Sequence, residues 1–287
     1  MAGDPQVLRY AAFTDDPAGG NPAGVVLDAS ALDDAAMQAI AADVGYSETA
    51  FVTGRDAGGD LHVRYFSPEA EVPFCGHATI ATGVAWGHEH GFGELRLHTR
   101  AGLVEVDVVP GAGDGPPVAT LTSVPPRSLP VAAADLAEAL AALGWDAAEL
   151  DPALPPRVAF AGAWHLVLAT ATPERLTALD YDFDRLKALM TARDWTTLQL
   201  VHRVGPADFR ARNPFPPGGV VEDPATGAAA AALGGYLREL GLVDPAGGAR
   251  FTISQGADMG RPSLLAVEVP EGTDTGIRVS GAAVPIR

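Results

Sequence analysis

The stretch EVPFCGHATIATGVAW (residues 71–86) contains the only cysteine of the 287-residue chain, followed by a glycine, a histidine and a run of small residues. The small residues predict a helix that starts near the histidine. The first N–H groups of a helix lack partners within the helix, and the helix dipole adds partial positive charge there, so such an end attracts a carboxylate or a phosphate. The stretch therefore predicts either an anion-binding helix end or only a tight entry into a packed helix.

The same pattern occurs a second time, in VVEDPATGAAA (residues 220–230). An offset of 148 residues aligns four pairs: Cys75 with Asp223, Arg64 with Arg212, Pro68 with Pro216 and Val72 with Val220. A single repeat of this length is too long for a solenoid unit, so it predicts two similar domains related by a pseudo-twofold axis. Two helix ends would then face one cleft between the domains, a common location for ligand sites.

Short strands and turns dominate the predicted secondary structure, because glycine and proline are frequent. Besides the two small-residue helices, we predict helices near residues 31–44 and 173–193. The segment SVPPRSLP (residues 123–130) has the prolines of a connector between domains. The predicted organisation is an N-terminal domain over residues 1–126, a C-terminal domain over residues 127–277, and a last strand over residues 278–287 that returns to the first domain.

The composition argues against several classes of partner. The net charge is −17, Lys187 is the only lysine, and no basic run marks a nucleic-acid footprint, so nucleic acid and anionic membranes are not expected as partners. The most apolar run, residues 225–237, is shorter than the ~20 residues that span a bilayer. One cysteine cannot form an internal disulfide and the amino terminus does not resemble a signal peptide, so we predict a cytoplasmic protein. No glycine-rich nucleotide motif is present, and no cofactor is expected.

Cys75 and His77 stand at the first predicted helix entry. A helix amino terminus favours the reactive thiolate form of a cysteine, whereas a lone buried cysteine is more often inert filler. His77 can orient a substrate, pass a proton or only cap the helix. The geometry of the turn decides whether its ring reaches the sulfur atom of Cys75.

Three carboxylates are candidates for proton transfer. Glu222 and Asp223 follow two valines, which predicts that at least one of them is poorly solvated, and we select Asp223. Because Asp223 precedes a proline, its alternative role is to cap the following turn. Glu48 lies between Tyr46 and Phe51 at the start of an apolar strand, an environment in which a carboxylate can act as a proton shuttle.

The cluster GHEHG (residues 87–91) resembles metal-ligand spacing only loosely. We expect His88 and His90 to lie in a loop after the helix. No cysteine neighbours them, and no metal site is predicted.

Together these residues resemble the phenazine-biosynthesis isomerase-like (PhzF-like) family, itself similar to diaminopimelate epimerase and proline racemase. The resemblance extends from about residue 7 to the end, and five stretches carry it: GNPAGVVL (20–27), YSETAFV (46–52), RYFSPEAEVPFCGHAT (64–79), VVEDPATGAAA (220–230) and SQGADMGRP (254–262). It implies an α+β fold of the diaminopimelate-epimerase type: two pseudo-symmetric domains, each a curved, mostly antiparallel sheet around a central helix. Such proteins are often homodimers.

The resemblance also implies an activity and its residues. The implied activity is that of a cofactor-free isomerase that moves a proton within a small unsaturated carboxylic acid. The substrate is expected to bind in the cleft between the domains. Glu48 matches the acid/base residue, and His77 and Asp223 match residues that position the substrate and assist proton transfer. The residues assigned to substrate binding are Asn21, Ser47, Cys75, Gly76, Gly227 and Ala228.

One departure from the family pattern keeps alternatives open. Where the family often has serine, this chain has Ala228, so a hydroxyl that could bond the substrate is missing. The loss of one buried hydrogen bond typically costs about 1 kcal/mol, which argues against 2,3-dihydro-3-hydroxyanthranilate itself as the substrate. The alternatives are an amino-acid or hydroxyproline epimerase or dehydratase that uses Cys75 with Asp223, and a binding protein that has lost catalysis.

Overall fold

The computed structural model describes residues 5–243 and 247–287. The strands are β1 (Leu8–Ala12), β2 (Asn21–Val26), β3 (Glu48–Arg55), β4 (Leu61–Phe66), β5 (Glu71–Val72), β6 (Gly93–Thr99), β7 (Gly102–Val109), β8 (Val118–Thr122), β9 (Arg127–Pro130), β10 (Arg157–Phe160), β11 (Trp164–Ala169), β12 (Trp195–Gly205), β13 (Asp208–Phe215), β14 (Val220–Asp223), β15 (Ala249–Gln255), β16 (Ser263–Val269) and β17 (Arg278–Pro285). The α-helices are α1 (Asp34–Val44), α2 (Gly76–His90), α3 (Ala133–Leu143), α4 (Pro173–Thr177), α5 (Phe183–Ala192) and α6 (Gly227–Glu239).

The chain divides into two compact units. The first unit contains the residues up to Thr122 together with Ser280–Arg287, and the second contains Ser123–Val279. In both units strands outnumber helices among the described residues, so the fold is of the mixed α/β kind with a sheet-rich core. None of the helices in these described parts of the chain is long and apolar enough to cross a membrane.

The first unit is built from a mixed sheet. β1 pairs antiparallel with both β17 and β2, and β2 runs parallel to β3. β4 pairs antiparallel with β3 and β5 and parallel with β6. β6, β7 and β8 then follow as antiparallel neighbours. Because parallel neighbours need a crossover connection, α1 lies between β2 and β3 in the chain and α2 between β4 and β6.

The second unit has the same order of pairings. β9, β10 and β11 are antiparallel neighbours, and β11 runs parallel to β12. β13 pairs antiparallel with β12 and β14 and parallel with β15, which pairs antiparallel with β16. The steps from β10 to β16 therefore repeat those from β1 to β7, as the 148-residue repeat leads one to expect.

A buried helix of small residues forms the centre of each unit. α2 packs against β1, β2, β3, β7 and β8, while α6 packs against β9 to β12 and β16. Every residue from His77 to Gly87 is buried. A Cβ atom at Gly83 would lie only 3.1 Å from the Val108 side chain, so small residues are needed for this close approach. The packing explanation of the small residues is therefore correct for this helix, and it leaves the function of the helix ends open.

The structure corrects two sequence predictions and adds one helix that was not predicted. The predicted connector 123–130 is partly a strand, because β9 pairs with β10. The single helix predicted near 173–193 is two helices, since Asp182 caps a new helix start with its side chain. α3 was not predicted, although Gly144 ends it in the left-handed conformation that glycine favours.

A buried histidine of the second unit makes the stability of the protein depend on pH. His165 is 0% exposed, Thr197 Oγ1 lies 2.9 Å from its Nδ1, and burial lowers its pKa to about 4. In an unfolded chain the pKa of histidine is about 6.5. Between these values the unfolded state binds a proton that the folded state does not, so the free energy of unfolding falls as the pH falls. We expect a loss of up to about 3 kcal/mol between pH 6.5 and pH 4.

Urea unfolding followed by circular dichroism at pH 7, 5.5 and 4 measures this loss. Carboxylates also titrate in this range, so His165→Gln is the comparison, and the difference between the two proteins isolates the histidine. An equal loss of stability in both proteins would show that His165 does not titrate as proposed.

Candidate active site

The end of α1 leads directly to Ser47 and Glu48. Asp33 caps the start of α1 by accepting a hydrogen bond from a first-turn N–H group, and Gly45 ends it in the left-handed conformation, with φ of 70°. β3 then starts at Glu48, opposite Ala23 of β2. The Glu48 side chain is only 13% exposed, so this strand start does not carry a solvated glutamate.

The entry of α2 contains Cys75, Gly76 and His77. Cys75 precedes the helix in an extended conformation, and its side chain does not cap the helix. The Thr79 hydroxyl donates to the Cys75 carbonyl at 2.7 Å, and it lies 2.7 Å from the hydroxyl of the fully buried Tyr65. Burial raises the pKa of Tyr65 above its ordinary value, so its hydroxyl stays protonated. These contacts hold the first turn of α2 in place.

Glu48, Cys75 and His77 meet at one point of the first unit. His77 Nε2 lies 3.3 Å from Glu48 Oε2 and 3.7 Å from Cys75 Sγ, and Cys75 Sγ lies 3.4 Å from the same glutamate oxygen. Cys75 Sγ is also 3.3 Å from His77 Nδ1. The ring therefore reaches the sulfur, which the sequence had left open. Cys75 and His77 are 8% and 5% exposed, so the three groups interact with little screening by water.

Two further predicted residues hold the His77 ring. Asn21 Nδ2 lies 3.0 Å from Nδ1, and Ser47 Oγ lies 3.3 Å from Nε2. Asn21 follows Gly20, which has φ of +64°. A Cβ atom at Gly20 would lie 2.4 Å from the Ala12 carbonyl oxygen, so only glycine fits the turn that brings Asn21 to the histidine.

The other predicted residues form a second cluster, at the start of α6 in the second unit. Thr226 Oγ1 donates to Asp223 Oδ2 at 2.5 Å. Gln255 Nε2 donates to the Asp223 carbonyl at 2.7 Å, and Gln255 Oε1 accepts from the Thr226 N–H at 3.2 Å. Gly227 is the first residue of the helix and Ala228 the second. The Asp223 side chain thus bonds to the hydroxyl of another residue of this turn, and it is only 8% exposed.

Glu222 has a different environment from Asp223. Arg212 donates to its carboxylate from Nη2 at 2.5 Å and from Nε at 3.1 Å. The Glu222 side chain is 3% exposed and the Arg212 side chain 12% exposed, so this is a buried ion pair. Burial, and to a smaller extent the Glu222 charge, raise the pKa of Tyr181, whose hydroxyl donates to the Val221 carbonyl. The ion pair therefore gives Glu222 a structural role in this turn.

Sequence reasoning missed two residues and misplaced two others. Thr226 and Gln255 support Asp223, and the only signal for Gln255 was its place in the quoted stretch SQGADMGRP. The loop predicted for His88 and His90 is wrong, because α2 continues to His90. Tyr10 OH lies 3.0 Å from His88 Nδ1, and the His90 ring stacks on Trp86 at 3.9 Å, which explains why the helix extends this far.

The first cluster can transfer a proton. A carboxylate that is largely shielded from water lies within 3.4 Å of an imidazole and a thiol, both of which can donate or accept a proton. Gly76 and His77 begin α2, so the helix dipole adds positive potential beside this carboxylate. Two groups in the first unit bring three possible metal-ligand atoms within 4.8 Å of one another: Glu48 with Cys75 and His77, and Asp56 and Asp60, which lie between β3 and β4, with His98 of β6.

The chain is similar to curated proteins over nearly its whole length. A curated relative from Deinococcus radiodurans, described as an uncharacterized isomerase, is 36% identical and covers 96% of this chain and 92% of its own length. The trans-2,3-dihydro-3-hydroxyanthranilate isomerase of Pseudomonas fluorescens is 32% identical, over 95% of this chain and 94% of its own length.

Solved structures are also similar to this chain over nearly its whole length. A predicted epimerase from Pseudomonas aeruginosa is 30% identical, has a TM-score of 0.85 and covers 99% of this chain and 98% of its own. A probable proline racemase from Agrobacterium radiobacter, at 14% identity and a TM-score of 0.66, covers 97% of this chain and 90% of its own and shares the fold. The family described as "Phenazine biosynthesis-like protein" matches residues 10–287. This chain therefore belongs to the phenazine biosynthesis-like (PhzC-PhzF) family.

Proposed function

We propose that this protein is a cofactor-independent isomerase that moves a proton within a small unsaturated carboxylic acid, with Glu48 as the acid/base. The observation that carries the proposal is the Glu48 side chain, 13% exposed and with its Oε2 3.3 Å from His77 Nε2. Similarity to relatives named as isomerases supports the reaction class.

In the proposed reaction the Glu48 carboxylate removes a proton from a carbon beside an activated double bond. The double bond shifts, and the same carboxyl group returns the proton to the distant carbon. The product is therefore an isomer of the substrate, and Glu48 ends as the carboxylate with which it started. His77 positions Glu48 and stabilises the charge that develops. The first N–H groups of α2, at Gly76 and His77, bind the substrate carboxylate, and these fixed dipoles need no reorganisation during the reaction.

Asp223 is proposed to position the substrate and to assist the proton transfer by Glu48. Its hydrogen bond from Thr226 and its low exposure support a fixed orientation. Gly227 allows a ligand to approach the start of α6 closely, and Ala228 offers that ligand no hydroxyl. The sequence repeat predicts that this cluster and the Glu48 cluster act on one substrate. The repeated order of strand pairings supports the idea that the two units are duplicated, pseudo-symmetric domains.

Solvent deuterium tests the proposal. The protein is incubated in D₂O with trans-2,3-dihydro-3-hydroxyanthranilate and other small unsaturated acids, and separately with hydroxyproline and diaminopimelate. We expect deuterium at the carbon that receives the proton of an isomerised unsaturated acid, detected by NMR. Exchange only at the α-carbon of an amino acid would contradict the isomerase. If none of the probes exchanges hydrogen for deuterium, the result would favour the non-catalytic binding protein.

One observation favours an epimerase as the second candidate. Cys75 Sγ lies 3.3 Å from His77 Nδ1, a distance at which the imidazole can take the thiol proton. Cys75→Ala distinguishes the candidates, because it should abolish α-hydrogen exchange by an epimerase and leave a reaction of Glu48 measurable. The homodimer and the cytoplasmic location remain sequence-based predictions, and light scattering of the purified protein tests the first of them.

A further inference from the structure

The His77 ring has a different kind of partner at each of its two nitrogen atoms. Asn21 Nδ2, an amide nitrogen that donates hydrogen bonds and accepts none, lies 3.0 Å from Nδ1. At the other nitrogen, Nε2, Ser47 Oγ and Glu48 Oε2 each lie 3.3 Å away, and both are oxygen atoms that can accept. A neutral imidazole has one N–H group and one lone pair, so these partners favour one position of its proton over the other.

A proton on Nε2 suits all of these contacts. The Nδ1 lone pair then accepts from the Asn21 amide, and the Nε2–H lies beside the two acceptor oxygens. With the proton on Nδ1, that N–H would meet the amide N–H groups, and the Nε2 lone pair would lie 3.3 Å from an ionised Glu48 carboxylate. Such repulsion is strong here, because His77 is 5% exposed and the Glu48 side chain 13% exposed.

The orientation of the Asn21 amide is therefore coupled to the charge of the ring. With Nδ2 at Nδ1, the partners suit a neutral ring that carries its proton on Nε2. The reversed amide, with Oδ1 at Nδ1, would suit a charged ring with a proton on both nitrogens. The two arrangements differ in the proton on Nδ1, which a measurement can detect.

The start of β2 holds the Asn21 side chain beside the ring. Asn21 lies opposite Ala12 of β1, and it follows Gly20 in the turn that only glycine fits. Its side chain is enclosed by the protein, because the residue is 1% exposed. This burial suits a partner of His77 better than a group that contacts a substrate directly.

We propose that Asn21 is a positioning residue: its amide donates to His77 Nδ1 and keeps the ring neutral with its proton on Nε2, so that the ring presents an N–H to the Glu48 carboxylate. The resemblance to the family assigned Asn21 to substrate binding, and this proposal gives it an indirect role instead. The effect of Asn21 on turnover rests on the proposed function, because it acts through His77 on Glu48. The position of the ring proton does not depend on that function.

NMR of the full-length wild-type protein, labelled with ¹⁵N-histidine, measures the proton position without a substrate. His77→Gln removes one set of signals and so identifies those of His77 among the seven histidines. At neutral pH we expect a protonated Nε2 and an unprotonated Nδ1, which resonates far downfield. A proton on Nδ1, alone or together with one on Nε2, would overturn the proposal.

Asn21→Asp then tests the cause of this preference. The variant nearly keeps the shape of the side chain but replaces the amide donor by an acceptor, so a proton should appear on His77 Nδ1. Gln6→Glu makes the same change at an exposed position and should leave the His77 signals as in the wild type. Unchanged His77 signals in folded Asn21→Asp would contradict the proposal. If this variant does not fold, the wild-type spectrum still decides.

Steady-state kinetics separates a positioning role from direct contact with the substrate. Asn21→Ala removes the donor without adding a charge, and it should lower kcat by about 10-fold, the effect of one hydrogen bond, with KM unchanged. A raised KM with unchanged kcat would show that Asn21 contacts the substrate and would overturn the role. If no substrate is converted, the proposed function fails, while the NMR spectrum still decides the position of the proton.

Discussion

Glu48→Gln is expected to lower turnover by about 10²- to 10⁴-fold, the usual contribution of a single acid/base group. Glutamine has nearly the shape of glutamate and keeps an oxygen that can accept from His77, but it cannot take up and return a proton. The change therefore removes the chemistry and preserves the packing around the start of β3. The measurement is steady-state kinetics with the first unsaturated acid that the wild-type protein converts.

The matched control for this variant is Glu94→Gln, which makes the same chemical change at an exposed position of β6 in the same unit. It should leave turnover and thermal stability unchanged. Wild-type turnover in Glu48→Gln would remove Glu48 from the mechanism.

Asp223→Asn, alone and combined with Glu48→Gln, tests whether the two clusters serve one reaction, because residues that act together give losses of turnover that do not add.

Arg212→Met is expected to destabilise the protein by about 3–5 kcal/mol, the cost of leaving one member of a buried ion pair without its partner. Glu222 is 3% exposed, and Arg212 donates to both of its carboxylate oxygens. Without the guanidinium, the buried Glu222 carboxylate loses this cationic partner. The free energy of unfolding, measured by urea denaturation at pH 7, gives the loss.

The double variant Arg212→Met with Glu222→Leu should regain most of this stability, because replacing both partners by apolar groups leaves no buried charge. Arg185→Met is the control for losing an arginine. Arg185 pairs with Glu138 at 2.6 Å, but both side chains are more than 40% exposed, and such pairs contribute about 1 kcal/mol or less. A loss below about 1 kcal/mol in Arg212→Met, or no recovery in the double variant, would show that the pair does not behave as a buried one.

Much of the fold and the residues of the proposed site could be predicted from the sequence. The repeat of Cys75 and Asp223 at a constant offset predicted two helix entries, and the helices start one residue after Cys75 and four residues after Asp223. The resemblance to the PhzF-like family named Asn21, Ser47 and Glu48 together with His77, and the structure places each of the first three against the His77 ring. These features follow from local patterns: small residues that form a helix, and glycines that permit turns.

Other features could not be read because they depend on residues distant in the chain. The helix break before Asp182 and the pairing of β9 depend on which neighbours each segment finds, and local preference is too weak to decide them. The same holds for Gln255, which supports Asp223 from a strand 32 residues away. Nothing near Gln255 in the sequence indicates that partner.

The sequence by itself determined which residue types form the proposed site and that the pattern occurs twice. Only the tertiary structure decided their relations: that the Glu48 carboxylate lies 3.3 Å from His77 and 3.4 Å from Cys75, and that Glu222 is neutralised by Arg212 while Asp223 bonds to Thr226. The physical reason is that the strength of a charge or a proton donor depends on distance and on exclusion of water. Both are set when strands far apart in the chain pair around the central helices.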